Sequence, residues 1–119
     1  MKKLLLLVAV FLSGCSSLQE LKQYFPKDHD PVMFNYLVVT DVSINHINCD
    51  KPDWSEAHRN AEILARYTEW RKDPQATNIK GLFAHTERMS KGSSKTFCEL
   101  GKNTALQRIE AAKSAWQGR

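Results

Sequence analysis

The side chains able to do chemistry are few: Cys15, Cys49 and Cys98, the histidines His29, His46, His58 and His85, and a scatter of carboxylates. His46 and Cys49 stand three apart, a spacing that one helical turn would align as two metal ligands. No second ligand pair follows at zinc-like spacing, so a metal site is not expected. Asp28-His29-Asp30 has the donors to catch a cation, yet Asp30 precedes Pro31, and capping of a proline-started helix accounts for it. The scattered histidines each read as surface or capping residues rather than general bases. G-x-S-x-G, H-E-x-x-H and S-x-x-K are missing, and Gly101-Lys102-Asn103-Thr104 lacks both the upstream glycine and the hydroxyl directly after lysine that a phosphate loop needs. Catalytic, cofactor and metal sites are therefore expected to be none.

The chain's strongest pattern is at its start. Met1-Lys2-Lys3 leads into an apolar run from Leu4 to Leu12, nine residues long and too short to span a bilayer. A charged start, that run and small residues after it make a secretory signal. The ending, Leu12-Ser13-Gly14-Cys15, resembles the lipobox of bacterial lipoproteins. The resemblance implies that the Cys15 thiol receives diacylglycerol, that cleavage falls just before it, and that the new amino terminus is acylated. More than one chain would make the anchor stable, at about 0.8 kcal/mol per buried methylene. Ser16 and Ser17 follow, where aspartate favours inner-membrane retention in enterobacterial lipoproteins. The implied location is the outer membrane, lipid-anchored and facing the periplasm. The expected domains are a signal peptide over 1–14, a lipidated tether over 15–29 and a periplasmic domain over 30–119. The fourteen residues Ser16 to His29 reach at most about 50 Å when extended, a short leash.

With Cys15 taken by lipid, Cys49 and Cys98 remain as a pair. In an oxidising compartment two thiols in a small exported domain predict one structural disulfide. Closing a loop of about 50 residues contributes about 4 kcal/mol by chain entropy, a large term for a small core. The formal charge of +4 includes Lys2 and Lys3, which leave with the signal. The remainder is uneven: Cys15 to Ala57 holds three Lys/Arg against seven Asp/Glu, and His58 to Arg119 twelve against six. A basic half suits phospholipid headgroups, peptidoglycan carboxylates or a protein patch, or is simply a solvated face. Nucleic acid is not an expected partner.

Helix punctuation supplies the scaffold. Asp30-Pro31 and Asp73-Pro74 place an N-cap before a proline, Asp50-Lys51-Pro52-Asp53 suggests a third start, and Thr96-Phe97-Cys98-Glu99 has the form of a capping box after the turn Gly92-Ser93-Ser94. Apolar residues recur at three and four in Trp54, Ala57, Ala61, Leu64, in Ile79, Leu82, Phe83, Met89, and in Ala105, Ile109, Ala112, Trp116. The first segment is ambiguous. Val38 to Ile44 is rich in β-branched residues and nearly alternates, which suits a strand. The Asp-Pro start and the spacing Met33, Leu37, Ile44, Ile47 favour a helix, as does the lack of a second strand to pair with. A short helix around Leu18 to Tyr24 leads from the anchor and ends at Phe25-Pro26. The expected fold is all-α, a small bundle of about four helices with one disulfide, Cys49 closing the first main helix and Cys98 opening the last.

Among the aromatic residues, Trp54 and Trp116 lie on apolar stripes and are assigned to packing. Trp70, beside Arg71 and Lys72 at a helix end, is the candidate partner-binding patch. Tyr24 to Pro31, Arg71 to Ala76, the two cysteines and the ending Ala115-Trp116-Gln117-Gly118-Arg119 are similar to small predicted lipoproteins of tailed phages. Among such proteins, the outer spanin subunit meets an inner-membrane partner across the periplasm and disrupts the outer membrane at lysis. The chain departs from that pattern in lacking a proline-rich mature region, and no spanin residue transfers to it. The expectation is a non-enzymatic interaction module with an envelope protein as partner, outer-spanin-like in its most concrete form. The alternative is a superinfection-exclusion or receptor-blocking lipoprotein, and an envelope hydrolase is the third and disfavoured reading.

Overall fold

The computed structural model describes residues 28–92 and 94–119. The expected signal peptide, Cys15 and the helix over Leu18 to Tyr24 lie outside the described residues. Four helices follow in order: α1 (Pro31–Asn45), α2 (Ser55–Trp70), α3 (Ala76–Ser90) and α4 (Lys95–Gln117). Among the described residues there is no strand.

The ambiguous first segment is a helix. Asp30 Oδ1 accepts from the backbone N–H groups of Val32 and Met33 at 3.0 and 3.1 Å, and Pro31 loses nothing at a position whose N–H has no helical partner. Met33, Leu37, Thr40 and Ile44 then face the core at helical spacing. Thr40 and Ser43 face inward too, their hydroxyls donating to the carbonyls of Tyr36 and Thr40 at 2.7 and 2.8 Å, so no buried hydroxyl is left unpaired. Burial of one face outweighs the β-propensity of the valines, which point outward.

Two helix starts differ from the sequence expectation. After Asp73-Pro74 the chain makes a turn first, and α3 begins at Ala76, with Asp73 Oδ2 accepting from Gln75 N at 2.8 Å. The cap of α4 is Ser94, which accepts from Phe97 N at 3.2 Å, so Thr96 and Glu99 are exposed residues inside the helix rather than a capping box. Ahead of α2, Asp53 accepts from both the N–H and the hydroxyl of Ser55, at 3.0 and 2.6 Å. The chain leaves α2 through Lys72 at φ 53° and α3 through Gly92 at φ 111°. Glycine suits such a left-handed position and lysine adopts it at a cost.

The helices form a closed ring: α1 packs on α2 and α4, and α3 packs on the same two. Neighbours run antiparallel, as the cross-contacts require. Asn78 near the start of α3 donates to the Arg108 carbonyl late in α4 at 2.9 Å, and His85 further along α3 reaches Gly101 early in α4. The core stripes expected from the sequence are buried, with Trp54 and Trp116 at 2% and 1% exposure, except that Phe83 is half-buried at the edge of the core. Gly101 leaves room for the end of the Met89 side chain, since a Cβ there would meet Met89 Sδ at 2.7 Å.

Candidate functional site

The two ends of the bundle carry most of its polar chemistry. One end gathers the start of α1, the end of α2, the turn into α3 and the end of α4. Asp30, 6% exposed at its side chain, caps α1 with Oδ1 and turns Oδ2 toward α2, where the Tyr67 hydroxyl donates at 2.7 Å and Arg71 Nη1 pairs at 2.7 Å. Burial pushes the Asp30 carboxyl up, but Tyr67, the Met33 N–H, Arg71 and the Val32 N–H together outweigh it and hold its pKa below the usual value. Asp30 in turn raises the Tyr67 phenol, chiefly by accepting its hydrogen bond, with burial and charge adding to this.

Asp73 is a second hub at the same end. Its Oδ1 takes Arg119 Nη1 at 2.6 Å, and its Oδ2 takes Trp116 Nε1 at 3.0 Å besides the Gln75 N–H. Both partners of the ion pair are enclosed, 0% exposed for Asp73 and 3% for Arg119 at their side chains. Burial raises this carboxyl, and Arg119, the Gln75 N–H and Trp116 more than reverse the shift, leaving the pKa lowered. The arrangement ties the last residue of the chain to the loop between α2 and α3.

The predicted patch Trp70-Arg71-Lys72 sits here, and its three side chains go different ways. Trp70 is 77% exposed on the outward face of α2. Arg71 is partly buried against Asp30, so it belongs to the structural network rather than to an open basic patch. Lys72 is exposed in its left-handed turn. The ring of Trp70 is thus the large apolar group that the three leave open to solvent.

At the opposite end Cys49 and Cys98 form the expected disulfide, with Cα atoms 5.6 Å apart. Cys49 lies beyond α1 rather than closing it, while Cys98 is in the first turn of α4. A bonded Cys49 is not a metal ligand, which removes the pairing with His46. Lys102, in the segment that falls short of a phosphate loop, donates Nζ to the carbonyls of Asn45 and Ile47 at 3.2 and 2.9 Å. It supplies the end of α1 with a cation that the helix itself lacks in its last turn. A cleft of about 320 Å³ lies between Pro52–Ser55 on one side and Met89, Ser90 and Gly92 on the other. Its one ionisable lining residue is Asp53, already engaged by Ser55, whose hydroxyl and N–H lower its pKa against a small opposing effect of burial.

The histidines do not converge. His29 lies against Phe34 with ring centroids 5.8 Å apart, and His46 ends α1. His58 stacks on Phe83 at 5.0 Å with Nδ1 3.3 Å from Thr86 Oγ1. His85 departs from the surface reading: it is buried, meets Trp54 edge-on, and donates Nε2–H to the Gly101 carbonyl at 2.8 Å. Among the described residues no group of three or more His, Cys, Asp or Glu is placed to hold a metal ion.

Sequence reasoning missed the Asp73–Arg119 pair, whose only local sign was the Asp-Pro step. It also missed the outward valines of α1, whose sign was present and was read as strand character. No helix of the described residues is long and apolar enough to cross a membrane. No protein-family model, no curated protein and no solved structure matches this chain.

Proposed function

We propose that this protein is an envelope lipoprotein that acts by binding a protein partner, tethered through lipid on Cys15 to the periplasmic face of the outer membrane, with an outer-spanin-like lysis role as its most concrete form. The observation that carries the reading is the contrast among the three tryptophans. Two are closed into the core, and Trp70 presents an amphipathic ring to solvent on a helix whose end is tied to Asp30 through Tyr67 and Arg71. An exposed tryptophan on a rigid element loses little conformational entropy on contact, which is why such residues concentrate binding energy. The disulfide and the two carboxylate hubs give the patch that rigidity. The lipobox-like segment supplies the location.

The anchor is tested by growth with labelled fatty acid. The wild-type chain should take up label and float with outer membranes, and Cys15→Ser should take up none. Label in that variant equal to wild type overturns the anchored reading. Expression in an enterobacterial host separates the two envelope roles. Lysis that requires a co-expressed inner-membrane partner supports the spanin-like form, and phage resistance from expression alone replaces it with exclusion.

A further inference from the structure

The outward face of α1 carries a second apolar stripe. Val32, Asn35, Val39, Val42 and His46 recur at spacings of three and four, the a and d positions of a heptad seam, and all five are exposed. The three valines are 41–51% exposed. This stripe lies opposite the inner one of Met33, Leu37, Thr40 and Ile44, which makes α1 apolar on both sides, the pattern of a helix buried all round. Between Pro31 and Asn45 the only charged residue is Asp41, which is off the seam. β-Branched valine is a poor choice for a solvated helix face and a good one at a positions of two-stranded helical contacts.

We infer that this seam is the contact between two copies of the chain, α1 against α1 in parallel about a two-fold axis. A second copy fits because the stripe is self-complementary. A face without Asp, Glu, Lys or Arg meets itself with little repulsion, His46 lying at its far end, and Asn35 brings both a donor and an acceptor to the same level of the axis, where two amides satisfy each other. The parallel sense rests on the anchored reading, since the tether enters directly at the start of α1 and both chains would hang from one leaflet. The dimer itself does not depend on it.

The test uses the purified full-length chain in detergent micelles. Val32→Cys, treated with copper phenanthroline, should give a disulfide-linked band at twice the mass of the uncrosslinked chain, while Gln107→Cys on the outward face of α4 should not. Adding Val39→Glu and Val42→Glu should remove the crosslink at unchanged helical circular dichroism, because both side chains are solvent-exposed. Crosslinking of Val32→Cys no faster than that of Gln107→Cys overturns the inference. Fatty-acid labelling of the same preparations reports the anchor separately, and a crosslinked chain without label still supports the seam.

Discussion

The two ends of the bundle hold the same four helices by different chemistry. One end is closed by a single covalent bond, Cys49–Cys98, that spans 49 positions and acts mainly by restricting the unfolded chain. The other is closed by two buried carboxylates that collect a cap, a phenol, an indole and two guanidinium groups. The first is indifferent to protons and sensitive to reductant, and the second is the reverse. A small domain with a limited core can thus be fixed at both ends while its outward faces, the valines of α1 and the ring of Trp70, remain free of structural duty.

The largest effect is expected from breaking the covalent end. Reduction, or Cys49→Ser with Cys98→Ser, should lower the unfolding free energy by about 4 kcal/mol and the thermal midpoint by roughly 15–30 °C. Denaturant unfolding with and without reductant measures it. Asp73→Ala comes next, at about 3 kcal/mol, because it leaves the Arg119 guanidinium and the Trp116 N–H enclosed without an acceptor. The same variant should respond to reductant as strongly as wild type, since the two ends are distant and independent.

Protons should act mainly on the carboxylate end, because Asp53 at the other end, though its pKa is also lowered, is solvent-exposed. The pKa values of Asp30 and Asp73 are both lower in the folded protein than the usual aspartate value of about 3.9. As pH falls the unfolded chain therefore takes up protons first. The stabilisation is complete above the unfolded value and is lost as pH drops through the folded ones. Wild-type stability should be level down to about pH 5 and decline steeply below pH 4. Asp73→Asn should decline less across the same window, as read by denaturant midpoints at fixed ionic strength. A smaller effect of opposite sign is expected at Lys72, whose φ of 53° suits glycine. Lys72→Gly should raise stability by up to about 1 kcal/mol. Trp70→Ala should change stability by less than about 0.5 kcal/mol. Arg71→Ala is not an equivalent probe of binding, because it also removes the partner of Asp30.

Much of this structure was legible residue by residue. The inner stripes, the Asp30-Pro31 start and the cysteine pair each follow from a local rule, periodicity, capping or compartment, that tertiary contacts then reinforced. What was hidden depended on residues distant in sequence. Arg119 has no local feature that announces a buried ion pair with Asp73, and Lys102 does not reveal from its neighbours that it closes the end of α1. His85 looked like any surface histidine until the close approach of α3 and α4 at Gly101 placed a carbonyl against it. The patch around Trp70 was half legible. The exposed ring was recognisable from its position at a helix end, whereas the inward turn of Arg71 depended on where Asp30 would lie.

Photocrosslinking from position 70 in intact cells tests most directly whether the outward faces, rather than the fixed ends, carry the activity. A benzophenone side chain in place of Trp70 should give a discrete protein adduct that is lost in Cys15→Ser. The same group in place of Gln107 should give none. No adduct at position 70, or one that persists undiminished without Cys15, would contradict a lipid-anchored protein that works by binding through this face.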